Sequence, residues 1–463
     1  MFNRLIYTVI ILLLSSVSSL AQQPAAINSL EPFNKEDRVL ILAPHPDDEA
    51  IACAGVIQQA LASGAKVRIA YLTNGDHNQI AFIVYEKRIT MRKGEFIYMG
   101  EVRRKEAIKA MLLLGLQESD LVFLGYPDFG TFTIFNRYWQ AKRPFSSLLT
   151  RISAVPYKEN LSYQAPYVGE SMLKDMEKVL SDFRPNKIFV SHPADANADH
   201  RTLYLFLQIA LQDLKQELAA PKIYPYLIHC LGWPSPRNYH PELALRPPEK
   251  FQNNHINWSE LLLSPDQLEK KRQAIVCYKS QTETSGFYLL SFARENELFG
   301  DYAAIDLARQ GASEGKSPAF SGFSNMFQDN REAQEQDIEQ LPGDEGIVSY
   351  ALMDNVLFIR FEKTKEPVHR YSIMLYLFGY ASKTPFARMP KIRINANQHA
   401  FKVFDGKKLI KPDGISVESE GQGVMLKIPL SILGDPEFIL TSMRTYGGIL
   451  PVNTSGFRRI VIK

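Results

Sequence analysis

Ala43-Pro44-His45-Pro46-Asp47-Asp48-Glu49 follows directly on the apolar run Val39-Leu40-Ile41-Leu42, so a histidine and three carboxylates leave the end of a buried strand. Far downstream, a second strand-like run, Ile188-Phe189-Val190, leads into His192-Pro193-Ala194-Asp195-Ala196-Asn197-Ala198-Asp199-His200. Histidine and carboxylate are the ligands of a catalytic zinc, which keeps three protein ligands and one open position. At that position zinc lowers the pKa of water to about 7 and polarises a carbonyl. His45 and Asp48, three residues apart, can converge on one ion, and His200 completes the set. Asp47 points elsewhere and is placed to carry protons. Each cluster alone also reads as a helix start, with Asp47, Asp48 and Glu49 capping the pattern Ala50 to Ile57. Two such clusters at matching strand ends of an open α/β sheet favour the metal.

The elements that would position them alternate. A strand at Arg38 to Ala43 is followed by a helix to Ser63, stopped by Gly64. A strand at Lys66 to Leu72, a helix at Glu101 to Leu114 and a strand at Asp120 to Gly125 continue the pattern. Next come a helix at Met172 to Phe183, a strand at Lys187 to Ser191, a helix at Asp199 to Leu218 and a last strand at Lys222 to Cys230. Strand and helix in alternation imply a mostly parallel sheet with helices on both faces. Beyond a polar connector, at residues 306–345, short apolar runs such as Val356 to Phe361 and Tyr371 to Leu377 are separated by Asp405-Gly406 and Asp413-Gly414. That spacing predicts an all-β sandwich over residues 346–463.

Ala43 to Glu49 resembles the signature of the zinc-dependent PIG-L or LmbE-like N-acetylglucosaminyl de-N-acetylases, whose fold is Rossmann-like α/β. The likeness runs from Arg38 to about Phe292. It passes through Val67 to Gly75, Arg103 to Glu106 with Leu114-Gly115, Phe123 to Asp128, the second cluster, and Lys271 to Gln281. It implies His45, Asp48 and His200 as zinc ligands, another divalent metal being the alternative, and Asp47 as the base that activates water. Asp199 matches the acidic residue beside the last ligand and is expected to orient a neighbour. Where many members carry a histidine thought to stabilise the tetrahedral intermediate, this chain has Asn197, which can donate a hydrogen bond but no charge. His192 or another histidine is then the candidate for that charge, and Arg103 a candidate substrate contact. The implied reaction is hydrolysis of an N-acetylated amino sugar or glycan by a domain at residues 36–305. A zinc amidase acting on another acylated amine or thiol conjugate and a non-catalytic glycan-binding protein are the alternatives.

The 463 residues are too many for one average domain, and 53 basic against 50 acidic residues leave a net charge of +3. Without a dense basic run, nucleic acid is not an expected partner. Arg4, the apolar Leu5 to Leu14 and Ser19-Leu20-Ala21 read as a cleavable signal peptide at residues 1–21. The mature protein is therefore expected to be secreted or periplasmic, without a membrane span. Cys53, Cys230 and Cys277 lack metal or disulfide spacing and receive no role. Between Tyr126 and Gly169 the chain is irregular and rich in aromatic residues, among them Phe129, Phe132, Phe135, Tyr138, Trp139, Phe145, Tyr157, Tyr163 and Tyr167. It reads either as a sugar-binding lid or as a packed loop. Gly232 to Pro248 reads as a rim loop, and the nearby His229, His240 and His255 as structural. Sugar binding by the sandwich is the further expectation, against a purely structural appendage.

Overall fold

The computed structural model describes residues 27–463 except 78–82, 85–86, 88–91, 141, 252–255, 310–337, 341–345, 364–370, 398–399, 421–422 and 448–449. The expected signal peptide, most of the expected connector, and His255 lie outside the described residues. Among the described residues no helix is long and apolar enough to cross a membrane.

The N-terminal sheet contains β1 (Asn28–Ser29), β2 (Arg38–Ala43), β3 (Lys66–Thr73), β4 (Leu121–Tyr126), β5 (Lys187–Ser191), β6 (Lys222–Tyr226), β7 (Asn257–Leu262) and β8 (Asn296–Asp301). Their order is β1-β7-β8-β6-β5-β2-β3-β4. The strands from β6 to β4 run parallel, and β8 is antiparallel to both β6 and β7. Seven helices accompany the described part of this region: α1 (Asp48–Ala62), α2 (Lys93–Leu114), α3 (Thr131–Arg137), α4 (Gly169–Phe183), α5 (Ala198–Asp213), α6 (Pro265–Val276) and α7 (Lys279–Leu289). Successive side chains of β2 face opposite ways. Val39 and Ile41 join a core with α1, α2 and α6, while Leu40 and Leu42 join one with α4 and α5. The chain moves from β2 through β3 to β4 and then crosses back to lay β5 on the other side of β2. This reversal opens a crevice beyond the carboxyl ends of β2 and β5, where both chemical clusters emerge.

The C-terminal strands are β9 (Ile305–Leu307), β10 (Ile338–Gln340), β11 (Gly346–Met353), β12 (Val356–Lys363), β13 (Tyr371–Tyr380), β14 (Lys391–Asn397) and β15 (Phe401–Asp405). They continue with β16 (Lys408–Ile410), β17 (Ser416–Glu420), β18 (Gly423–Pro429), β19 (Phe438–Gly447), β20 (Leu450–Thr454) and β21 (Arg458–Ile462). One sheet runs β10-β11-β12-β18-β17, the other β16-β15-β14-β13-β19-β21-β9, with β20 on β19. Both are antiparallel apart from the β9–β21 pair. Val348, Tyr350, Leu375, Ile394 and Ile439 belong to the core between them. Strands β9 and β10 fall in the stretch read as connector, and both pair within these sheets. The fold class read from the sequence, a mostly parallel α/β sheet followed by antiparallel β-sheets, is what the chain adopts.

Candidate metal centre and active site

His45 and Asp48 leave β2 together, and His200 lies in the first turn of α5. Asp48 Oδ2 accepts the backbone N–H of His45 at 2.9 Å and lies 3.2 Å from His45 Nδ1 and 3.2 Å from His200 Nε2. Ligands on a tetrahedron of radius about 2.0–2.1 Å stand about 3.3 Å apart, so the two distances from Asp48 Oδ2 match edges of a zinc site. Buried His200 makes no aligned hydrogen bond through either ring nitrogen, leaving Nε2 as an orphan that a cation would satisfy. Burial works against carrying charge on His200, but Asp195 and Asp48 raise its pKa to about 9. Asp48 is lowered far below the carboxylate range, because His200 and His45 outweigh the burial that would raise it.

Carboxylates stand behind both imidazoles. Asp195 Oδ2 is 3.3 Å from His200 Nδ1, and Asp128 Oδ1 and Asp199 Oδ2 are 3.2 and 3.5 Å from His45 Nε2. Carboxylates in such positions would hold each ring in place behind a bound cation. Sequence reasoning assigned no role to Asp128 or Asp195. The available signal for Asp128 was its position just past the end of β4, comparable to the position of Asp47 after β2. For Asp195 it was a place in the second cluster.

Asp47 does not cap α1, and its backbone sits at φ +123°. Its Oδ2 accepts from Arg103 Nη2 at 3.1 Å. The same guanidinium donates to Pro46 O at 2.6 Å and Gly75 O at 3.0 Å. Gly75, at φ +68°, leaves the space this arginine fills, since a Cβ there would collide with the guanidinium. Burial pushes the Asp47 carboxyl up to about 7 against the pull of Arg103. That suits a group that takes and returns a proton near neutrality.

A cavity of about 470 Å³ opens over these groups. His45, Asp47, Asp48, Arg103 and Asn197 all line it, as do Asp128, Phe129 and His229. Arg103, expected as a substrate contact, lines the cavity and donates to Asp47 and the backbone beside it, which positions Asp47. Asn197 Oδ1 caps α5 by accepting from Asp199 N at 2.8 Å, which leaves its amide N–H groups for the cavity. Asp199 is fully buried and accepts from Phe129 N at 2.6 Å and from Thr131. These bonds tie the start of α5 to the turn before α3.

His192 does not fill the place proposed for it. It is 0% exposed, stacks 6.3 Å from Trp258, lines no part of this cavity, and is driven down to about 3 by burial. His229, read as structural, does face the cavity, with Nδ1 3.2 Å from Asp195 Oδ1. The aromatic stretch is mostly packed: Phe135, Trp139, Tyr157 and Tyr167 are buried, whereas Phe129 is 59% exposed on the cavity wall.

Residues 40–211 match the family model described as PIG-L, GlcNAc-PI de-N-acetylase. A curated glucosamine-6-phosphate deaminase-like protein of Bacteroides thetaiotaomicron is 24% identical over 270 residues, which is 56% of this chain and only 37% of that protein's length. Among solved structures, the N,N'-diacetylchitobiose deacetylase of Pyrococcus horikoshii aligns with 56% of this chain and 82% of its own, at 20% identity and a TM-score of 0.34. The zinc-inhibited form of a teicoplanin deacetylase aligns with 57% of this chain and 97% of its own, at 14% identity and a TM-score of 0.35. A 4-carboxy-2-hydroxymuconate hydratase of Pseudomonas putida aligns with 54% of this chain and 84% of its own, at 16% identity and a TM-score of 0.32. Residues 40–211 are thus PIG-L/LmbE-like, and the antiparallel sheets of the C-terminal part lie beyond the matched region.

Proposed function

We propose that this chain is a zinc-dependent hydrolase that removes the acetyl group from an N-acetylated amino sugar, free or within a glycan. The observation that carries the reading is a carboxylate, Asp47, standing beside but outside the His45, Asp48 and His200 group, on the wall of the same cavity. Those three residues would hold the metal. When bound, zinc makes water acidic enough to attack at neutral pH and polarises the amide carbonyl.

The chain's own residues do the rest. Asp47 takes a proton from the attacking water as its oxygen bonds to the carbonyl carbon. The Asn197 amide donates to the carbonyl oxygen as negative charge gathers there. Asp47 then returns the proton to the nitrogen as the carbon–nitrogen bond breaks, releasing acetate and the free amine. Arg103 keeps Asp47 aimed throughout. The cavity is within the range of small-ligand sites, about 300–1,000 Å³, and admits a sugar ring. Ile51, Ile228 and Leu289 give part of the wall an apolar character, which favours, as a second reading, an amidase that takes a longer acyl group.

The test is acetate release from a panel of acetylated amino sugars, with and without chelator. Chelator-sensitive release that is lost in Asp47→Asn, while zinc remains bound to that variant, supports the proposal. Undiminished turnover by Asp47→Asn would remove this carboxylate from the mechanism. Turnover of longer acyl amides alone would favour the second reading. Export of the protein, expected from residues 1–21, is checked by sequencing the amino terminus of the mature chain.

A further inference from the structure

We infer that the C-terminal sandwich is a working part of the metal centre, because it clamps helix α3 and thereby fixes the carboxylates behind His45. The inference rests on the metal reading above. Asp128 lies just before α3, in the turn closed by Gly130 N donating to Pro127 O at 3.0 Å. Asp199 reaches across from α5 and accepts from Phe129 N, Thr131 N and Thr131 Oγ1. The position of α3 therefore determines where both acids stand against His45 Nε2.

A helix of seven residues does not hold itself in water. What holds α3 is aromatic packing that comes largely from the sandwich. Phe132 meets the ring of Tyr376 edge-on at 5.3 Å and that of Phe457 at 5.9 Å. Phe135 meets Phe378 at 5.1 Å and Phe386 at 5.6 Å, with Phe206 of α5 at 5.0 Å. Just beyond the helix, Trp139 packs on Phe386 at 4.9 Å, with Lys391 Nζ 4.8 Å from its ring. The sandwich also touches the second cluster, since Phe457 N donates to Pro193 O at 3.0 Å, two residues before Asp195.

None of these sandwich residues lines the catalytic cavity, so they act by position alone. The β13 and β19 face carrying Tyr376, Phe378, Tyr380 and Phe438 would be an aromatic platform for sugar if it were free. It is buried against the α/β region instead. The expected sugar-binding role for the sandwich thus loses its best surface, and Tyr376 and Phe378, the two of these that touch α3, acquire a positioning role.

The experiment uses the full chain and measures zinc affinity by chelator competition alongside kcat and KM for acetate release. Thr131→Val, which keeps the side-chain shape and removes its hydrogen bond to Asp199, should weaken zinc binding about tenfold, the lower end for such partners. Phe378→Ala, which has no contact with the site, should weaken zinc binding and lower kcat in the same direction, with restoration by Phe378→Leu. Tyr380→Phe removes a 2.6 Å hydrogen bond to Asp213 elsewhere on this interface and should leave zinc affinity unchanged. If Phe378→Ala does not fold, Tyr376→Leu takes its place. Wild-type zinc affinity and kcat in a sandwich-face variant whose melting temperature has fallen would overturn the inference. Failure of the unaltered chain to bind zinc would remove the metal reading itself.

Discussion

Replacing Asp195 tests the metal centre without touching a proposed ligand or the proposed base. Its two oxygens divide the work. Oδ2 faces His200 Nδ1 at 3.3 Å and accepts the backbone N–H groups of Ile228 and His229 at 3.0 and 2.9 Å. Oδ1 faces His229 Nδ1 at 3.2 Å and accepts Asn197 N at 2.8 Å. The carboxyl is fully buried, and His200 and His229 hold it well below its ordinary range although burial opposes this. In Asp195→Asn one oxygen becomes an NH₂ that cannot accept. The amide should turn its remaining oxygen toward His200, where the two backbone donors also lie, and leave Asn197 N without its acceptor. The His200 tautomer then survives, but its charged partner does not. Partners of this kind contribute 10- to 100-fold in metal affinity, which corresponds to about 1.4–2.7 kcal/mol. Asp195→Asn should fall near the lower limit and Asp195→Ala, which removes both acceptors, near the upper. Competition titration with a chromophoric chelator reads the affinity directly. If both variants hold zinc as tightly as the unaltered protein, His200 Nε2 is not a ligand oriented from behind, and the arrangement argued above is wrong.

Lys271 and Glu297 form a fully buried ion pair at 2.8 Å, and the same carboxylate accepts the α1 backbone at Gly55 and Val56. Lys271→Met should cost about 3–5 kcal/mol in a denaturant titration, because it strands a buried charge; a loss under 1 kcal/mol would show that water replaces the ammonium. Burial drives Lys391 down to about 7 from 10.5, with Asp405 only partly restoring it. The unfolded chain therefore binds more protons than the folded one between those limits, so this residue's contribution to stability rises with pH from about 7 to 10 and is lost below. Urea midpoints of Lys391→Met should lack that rise, and parallel pH profiles for the two proteins would contradict the assignment.

The His45, Asp48 and His200 group was legible because its chemistry sits where an apolar run stops, at two strand ends that a doubly covered sheet brings side by side. Asp128 and Asp195 were not, since no local pattern says that a carboxylate will lie behind an imidazole contributed by another strand. Helix α2 begins eight residues before the expected Glu101. Gly94 and Gly100 carry low helix propensity, and in the fold the Tyr157 side chain occupies the space a Cβ at Gly100 would need. Helix α3 was hidden for the opposite reason. Thr131-Phe132-Thr133-Ile134-Phe135 carries residues that favour strands, and its helical form depends on Asp199 and on a sandwich more than two hundred residues away in sequence. Strands β7 and β8 went unread because they form an antiparallel addition beyond the last expected strand.

The backbone of Asp47 separates this carboxylate from an ordinary helix cap. A capping aspartate takes an extended conformation and accepts from the first turn of its helix; Asp47 stands at φ +123° and makes no such bond. A non-glycine residue held in such a region costs about 1–3 kcal/mol and persists only where its surroundings impose it. Here Arg103 holds Pro46 O and the Asp47 carboxylate together, and Glu49 Oε2 accepts Asp47 N at 3.2 Å while Tyr278 holds Glu49. Asp47→Gly and Asp47→Ala both delete the carboxylate, so the difference between them isolates the backbone term. Glycine tolerates this conformation and alanine does not. The glycine variant should therefore be the more stable by about 1–3 kcal/mol, the reverse of their order in an unstrained helix, while both lose turnover. Alanine equal to or above glycine in a urea titration would mean that Asp47 relaxes in solution, and that the strain aiming it into the cavity is not there.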